Sequence, residues 1–174
     1  MKPPEKRQDV VNKPTTTNAA AELASDHAGP FRIGMLIDQA GNFPGYALPV
    51  DEPALVLCGG HSPVPKLEVL AHRGGTHETL RLQLTADESR IAVIQFERPN
   101  ALQTAEGIGV QDKARSVAKA YGKPARELPR AFAQGPFCAT FAAHPGLAFC
   151  FDSTGWDDAL SRNAPVSAIC VLGG

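Results

Sequence analysis

The stretch TAEGIGVQDKARSVAKAYGKP, residues 104–124, carries a short helix between two glycine turns. Its apolar residues recur at helical spacing and form a single stripe, which consists of Ala114, Val117, Ala118 and Tyr121. Asp112 is the predicted N-cap, because its carboxylate can accept hydrogen bonds from free helix N–H groups. Gly122 suits the left-handed position that ends a helix, and Pro124 prevents its continuation. The stretch therefore predicts a short amphipathic helix that packs on a sheet by its Val/Tyr face.

The segments around this helix have the patterns of β-strands. In TLRLQLT, residues 79–85, leucines alternate with polar residues, and RIAVIQFER, residues 90–98, follows after the turn ADES. Such period-2 alternation indicates half-buried strands, and these two predict a hairpin. Further strands are predicted from five apolar runs: 54–58, 66–73, 135–143, 147–153 and 166–173. The segment TGWDDALSRNAP between the last two strands is predicted as a polar loop.

The two halves of the chain follow a similar plan. Each begins with Ile-Gly and an apolar residue, at residues 33–35 and at residues 108–110, and continues with a helix, a strand and a hairpin. This predicts an α+β fold of two tandem repeats, each a short helix packed on antiparallel strands, which together form one mostly antiparallel sheet. Residues 29–103 are repeat 1 and residues 104–174 are repeat 2. Residues 1–28 are polar and rich in proline and threonine, so a disordered tail or tether is expected there.

Charge and hydropathy argue against a nucleic-acid partner and against a membrane-spanning helix. The chain has 174 residues, with 17 Lys and Arg against 18 Asp and Glu and a formal net charge of −1. A nucleic-acid-binding protein is expected to carry a basic patch, and no basic run is present. No segment reaches the roughly 20 apolar residues of a membrane-spanning helix. The start MKPPEKRQ lacks the apolar region of a signal peptide.

The four cysteines, Cys58, Cys138, Cys150 and Cys170, all lie in apolar, strand-like surroundings. No CxxC pair is present, so no metal site is predicted from their spacing. Two interpretations remain open: four buried thiols in a cytosolic core, or two disulfides in an oxidising compartment. Four cysteines allow three pairings.

A resemblance to a known group of proteins rests on GPFRIGM, on the long stretch SRIAVIQFERPNALQTAEGIGVQDKARSVAKAYG, and on GLAFCFD followed by a cysteine near residue 170. The chain resembles bacterial exported proteins, largely of unknown function, with two tandem Gly-Ile-x-Val-Gly…Tyr-Gly helix-plus-sheet repeats. Their arrangement is similar to that of the beta-lactamase inhibitor protein and, for a single unit, to that of the SmpA-type outer-membrane assembly lipoproteins. The resemblance covers residues 29–173, but the first helix is shorter than usual and Cys150 is an additional cysteine.

The resemblance implies a periplasmic, outer-membrane-anchored or secreted protein, with residues 1–28 as a flexible tether and room for a lipid anchor at the native N-terminus. It implies the disulfides Cys138–Cys150 and Cys58–Cys170. It also implies a non-catalytic module that binds another protein as an inhibitor, immunity or assembly accessory protein. No cofactor, metal, nucleic acid or membrane span is expected.

Candidate contact residues are loop aromatics, because aromatic side chains dominate protein-binding hot spots. They are Trp156, Tyr46 and Phe43, and the alternative for Trp156 is that it covers the open end of the core. The alternative function is a small hydrolase or metal-dependent envelope enzyme that uses His72, His77 and Glu78 in AHRGGTHETL. A metal centre there would need a third ligand and a shaped pocket, so a solvated hairpin tip is the simpler interpretation.

Overall fold

Eight of the eleven strands in the described part of the chain form one antiparallel sheet, and the last of these eleven strands lies inside it. A computed structural model describes residues 23–40, 46–47, 58, 66–73, 76–130 and 135–174, with the backbone alone at 46–47, 66–73 and 76–79. In chain order the elements are β1 (Leu23–Ala24), β2 (His27–Ala28), β3 (Phe31–Arg32), α1 (Ile37–Ala40), β4 (Tyr46–Ala47), β5 (Lys66–Arg73), β6 (Thr76–Leu84), β7 (Ile91–Glu97), α2 (Ala114–Tyr121), β8 (Arg126–Glu127), β9 (Phe137–Phe141), β10 (His144–Phe151), α3 (Trp156–Arg162) and β11 (Val166–Val171).

The pairing of β7 with β11 joins the two halves of the large sheet at its middle. Its strand order is β4-β5-β6-β7-β11-β10-β9-β8, so strands of the first half lie on one side of this junction and strands of the second half on the other. At the junction Phe96 lies opposite Ile169. The predicted α+β class with antiparallel strands is confirmed. The equivalence of the two halves as tandem repeats stays a prediction.

The hydrophobic core lies between the helices and one face of the sheet. Val117 of α2 is completely buried, as are Phe141 and Phe149 of the strands beneath it. The Tyr121 ring lies 5.8 Å from the Phe141 ring and 5.7 Å from the Phe149 ring, measured between centroids. The apolar stripe predicted for this helix therefore faces the core. Gly122 has φ 78°, as expected at a glycine that ends a helix.

The start of α2 differs from the prediction. The helix begins after Lys113, which is extended and makes no side-chain cap. The Asp112 carboxylate accepts instead from the N–H of Gly109 at 2.8 Å, and the Asp112 carbonyl accepts from the N–H of Val166 at 2.8 Å. Together with the bridge between Lys113 and Pro165, this bond holds Lys113 extended, so the helix starts after it.

A third helix, α3, occupies the segment TGWDDALSRNAP, where a loop was predicted. Trp156 and Ala159 are its buried residues, and Asn163 ends it in the left-handed conformation with φ 49°. Two buried positions in seven residues give too short a stripe for a helical period to be recognised in the sequence. The loop prediction is wrong here because tertiary contacts of Trp156 stabilise a helix with a weak sequence pattern.

Strands β1, β2 and β3 form a separate antiparallel sheet at the N-terminal end of the described chain. Leu23 and Ala28 are buried, and the N–H of Leu23 donates to the carbonyl of Gln103 at 2.9 Å. The N–H of Gly146 in β10 donates to the Ser25 hydroxyl at 3.2 Å. Residues 23–28 therefore belong to the folded part, and the predicted tail boundary at residue 28 is too late. Because residues 1–28 are polar on average, their composition does not indicate that Leu23 packs against the folded part.

The first prediction concerns the buried stripe of α2. Val117→Asp should lower the free energy of unfolding by about 3–5 kcal/mol, because it places an unpaired charge in an apolar core. Ser116→Asp, at an exposed position of the same helix, is the matched control and should change it by less than about 0.5 kcal/mol. Denaturant titrations of both variants measure the difference. Equal stabilities would show that Val117 does not face a core.

The second prediction concerns the close approach of the N-terminal strands to β10. A Cβ at Gly146 would lie 2.3 Å from the Ser25 carbonyl oxygen and 2.9 Å from the backbone of Gly173. Gly146→Ala should therefore cost about 1–3 kcal/mol through forced backbone shifts. Gly155→Ala is the control, because no atom lies within 4 Å of its Cβ position. A Gly146→Ala variant with the melting temperature of the wild type would contradict this packing.

Candidate functional site

A cleft of about 450 Å³ lies between the β8 edge of the large sheet and the beginning of α3. Residues 123–127 form one wall and residues 154–158 form the other. A second cleft of about 490 Å³ shares Thr154 with it and is lined by Arg130, Asp152 and Arg162 among others. The two clefts are therefore neighbours on the surface, and we refer to them together as the β8 cleft.

Arg130 holds the loop between β10 and α3 in place. Its guanidinium donates to the carbonyls of Ser153 at 3.3 Å, of Thr154 and of Gly135 at 3.5 Å. The N–H of Thr154 donates to the Asp158 carboxylate at 3.0 Å, and this bond is the main reason that the pKa of Asp158 lies below its ordinary value. The loop is thus held from both ends, which gives the cleft a defined wall.

Trp156 lies at the base of this cleft and is mostly buried. Only 8% of it is exposed, and its ring packs edge-on against Phe141 and Phe151 at centroid distances of 5.4 and 5.7 Å. The predicted loop position is wrong, because Trp156 is the first residue of α3, and its ring covers the core, which is the alternative considered for it; its role in partner binding stays a prediction. Its remaining surface still contributes to the cleft wall.

The structure describes only some of the other residues that the sequence suggested for a site. Phe43 lies outside the described residues, and Tyr46 is described by its backbone alone, which pairs with Ala71 in β5. At the alternative site, His72 lies opposite His77 across the β5–β6 hairpin, while Glu78 lies opposite Ala71. By strand register the backbone of Tyr46 therefore lies beside the segments that carry His72 and Glu78, and the roles of all these candidates stay predictions.

A second polar site, which sequence reasoning missed, is centred on Glu106. Its carboxylate accepts from Nε2 of His144 at 2.9 Å and from the hydroxyl of Tyr121 at 3.0 Å. The Tyr121 hydroxyl also hydrogen-bonds with the Thr104 hydroxyl. His144 packs edge-on against the Tyr121 ring at 5.1 Å. These residues come from three chain segments, so no local spacing in the sequence could reveal the cluster.

The electrostatics of this cluster favour a fixed carboxylate. The hydrogen bond from His144 is the largest cause that lowers the pKa of Glu106 to about 2. Burial raises the pKa of the Tyr121 hydroxyl well above its usual range. A charged carboxylate beside a protonated phenol is suited to holding the β9–β10 turn against α2.

The four cysteine sulfurs converge on the face of the sheet opposite the helices. Cys58 is bonded to Cys170 and Cys138 to Cys150, the pairs that the resemblance implies. Cys138 and Cys150 lie directly opposite each other in β9 and β10. Two disulfides are typical of proteins from oxidising compartments. Cys58, Cys150 and Cys170 are also the one group of potential metal ligands found among the described residues.

In the part of the chain that the structure describes, no helix has the length and hydropathy needed to cross a membrane. Comparisons with protein-family models, with curated proteins and with solved structures find no match for this chain. The resemblance to exported repeat proteins thus rests on the sequence motifs alone and stays a prediction.

The third prediction concerns the pH dependence of the Glu106 cluster. Because the pKa of Glu106 is depressed in the folded state, the carboxylate stabilises the protein above its ordinary pKa of 4.5, and this contribution is lost as the pH falls through about 2. Glu106→Gln should cost about 1 kcal/mol at pH 7, a modest value because the side chain is 41% exposed to screening water.

Denaturant titrations from pH 7 to pH 2 measure this difference for wild type and variant. The difference should be constant above pH 5 and should vanish towards pH 2. Glu127→Gln, at an exposed glutamate outside the cluster, is the control and should follow the wild type. A Glu106→Gln difference that stays constant down to pH 2 would contradict the assignment.

Proposed function

We propose that this protein is a non-catalytic binding module of the cell envelope or exterior, and that it holds an extended segment of a partner protein along the outer edge of β8. The observation that carries the proposal is the position of β8: it is the last strand of the eight-stranded sheet and lies directly beside the β8 cleft. Roles as an inhibitor, immunity or assembly accessory protein all require such a surface and no chemical step.

The backbone of β8 supports pairing with a further strand. The N–H of Leu128 donates to the Cys138 carbonyl at 2.9 Å, towards β9. Successive residues of a strand direct their backbone groups to opposite edges, so Glu127 directs its N–H and carbonyl outward. Arg126 and Glu127 are both exposed, and no described strand pairs with the outer edge. An incoming extended segment would gain main-chain hydrogen bonds there, as in other cases of strand addition.

The charges around the edge favour a protein segment over a nucleic acid. The wall formed by residues 123–127 carries Lys123, Arg126 and Glu127, and the opposite wall carries Asp157 and Asp158. Cations and anions alternate over a short distance, so a polyanion would meet as much repulsion as attraction. A peptide with both charge signs would find partners on each wall, with the edge of Trp156 as an apolar contact between them.

The compartment follows from the cysteines. All four are paired, and such pairs persist outside the reducing cytosol. An oxidising location is therefore supported, and the envelope or the exterior of a bacterium is the part of the proposal that comes from the resemblance.

The fourth prediction tests the edge of β8. Glu127→Pro removes the outward N–H but leaves the hydrogen bond from Leu128 to β9, so it should block strand addition. Peptides selected on the wild-type protein from a phage-displayed random library should lose up to about tenfold in affinity for this variant, as expected for the one backbone hydrogen bond that the N–H of Glu127 would donate. Glu127→Ala, which removes the charge alone, is the matched control and should keep most of the affinity.

Changes in the amide chemical shifts of the wild-type protein show where the selected peptides bind. Bound peptide should shift the signals of residues 123–127 and 154–158. Peptides that bind Glu127→Pro as tightly as the wild type, or that shift only distant residues, would contradict the proposed site. Melting curves of both variants confirm that binding is compared between folded proteins.

A further inference from the structure

The two disulfides touch each other. Sγ of Cys58 lies 3.3 Å from Sγ of Cys150 and 3.9 Å from Sγ of Cys138, although it is bonded to Cys170. The sulfurs of Cys58, Cys150 and Cys170 all lie within 4.8 Å of one another. One sulfur of each disulfide is therefore in contact with the other disulfide, which is the approach that thiol–disulfide exchange requires.

We propose that the four cysteines form a thiol–disulfide exchange site, which accepts electron pairs from a dithiol at Cys58 and passes them to Cys138–Cys150. This activity goes beyond the proposed binding function and uses none of the residues that line the β8 cleft.

Burial assigns the entry point to Cys58. Cys150 and Cys170 are completely buried and Cys138 is 3% exposed, whereas Cys58 is only partly buried. An external thiolate therefore reaches the Cys58 sulfur first. Exchange rates depend on such access as well as on the fraction of thiolate.

The surroundings of Cys58 and Cys170 distinguish their roles after reduction. The side-chain oxygen of Gln95 lies 3.8 Å from Sγ of Cys170, where it can accept a hydrogen bond from the reduced thiol. Burial disfavours a thiolate at Cys170 more than at Cys58, which is only partly buried. Cys58 is thus the nucleophile of the reduced pair, and Cys170 holds its proton until it is needed.

The exchange balances without any further oxidant. A thiolate of the dithiol attacks Cys58, the Cys58–Cys170 bond breaks, and Cys170 leaves with the electron pair and takes a proton. The second thiolate of the dithiol attacks its own sulfur in the mixed disulfide and releases the Cys58 thiolate. The dithiol has then lost two electrons to the pair Cys58 and Cys170, and its two protons stay with solvent and the cysteines.

The second stage moves this electron pair inward. The Cys58 thiolate attacks Cys150, so that a Cys58–Cys150 bond forms and the Cys138–Cys150 bond breaks with its electrons on Cys138. Cys170 then gives up its proton and attacks Cys58, which restores Cys58–Cys170 and releases Cys150 as a thiolate. The Cys138 and Cys150 thiolates take up two protons, one released by Cys170 and one from solvent, so the inner pair is now a dithiol and the outer disulfide can oxidise a second dithiol.

The transient Cys58–Cys150 bond is the signature to be tested. Cys138→Ser with Cys170→Ser leaves only Cys58 and Cys150, and on air oxidation these should form one cross-link, detected by non-reducing peptide mapping. The matched control, Cys58→Ser with Cys150→Ser, leaves Cys138 and Cys170; Cys138 is outside the group of sulfurs within 4.8 Å of one another, so both thiols should stay alkylatable. Free thiols in the first variant, or equal cross-linking in both, would overturn the proposal.

The wild-type chain provides a test that needs no variant to fold. One equivalent of dithiothreitol is added, and the reaction is quenched with acid at successive times and mapped. Cys58–Cys150, with Cys138 and Cys170 as free thiols, should appear in the two-electron-reduced species before the species that has Cys58–Cys170 with free Cys138 and Cys150 accumulates. Native pairs alone at every time would overturn the proposal.

A rate measurement tests the role of Cys58 as the entry point. In Cys58→Ser with Cys170→Ser, dithiothreitol should reduce Cys138–Cys150 at least about tenfold more slowly than in the wild type, because the accessible relay is missing. An unchanged or faster rate would show that the inner disulfide is attacked directly, and the proposal would fail.

Discussion

The pairing of β7 with β11 is the contact on which the rest of the structure depends. It joins a strand from the middle of the chain to the last strand, and it buries Ile94 and Phe96 beside Ile169 and Val171. Without it each half of the sheet would expose an additional edge, with unpaired backbone groups and apolar side chains beside it. Because β11 is the last strand in sequence and lies inside the sheet, assembly must close a long loop before these contacts form, which is typical of slowly folding topologies.

The same strand, β11, carries one end of a disulfide that links distant parts of the chain. Cys170 of β11 is bonded to Cys58, across a sequence separation of 112 residues. A loop of that size is worth about 4.7 kcal/mol in the chain-entropy account, which is comparable to the whole stability of many domains. This disulfide thus offsets part of the chain entropy that is lost when β11 takes its central position in the sheet. It also places Cys170 and Cys58 against Cys150 of the neighbouring strand, so the sulfur contacts follow from the strand order.

Local patterns in the sequence predict the elements well where one face is clearly apolar. The alternating leucines of residues 80–84 and the stripe of α2 are examples, because each needs only its own period to be recognised. Strand order, the docking of Leu23, the helix at Trp156 and the Glu106 cluster depend on contacts between distant segments, which a single period does not encode. The polar neighbours of Trp156 suggest a loop, yet its ring gains more by covering Phe141 and Phe151 than by exposure.

Strand β9 explains how one sheet supports both proposed sites. Phe137, Ala139 and Phe141 point into the aromatic core, and Cys138 points to the opposite face, as the alternation of a strand requires. Its backbone meanwhile holds β8, through the bond from Leu128 to the Cys138 carbonyl. Leu128 also packs against the small cluster of Cys138, Cys150 and Ala168. The edge offered to a partner and the cover of the inner disulfide are therefore parts of the same short segment, and a partner strand that fixes β8 would also hold Leu128 over the sulfurs.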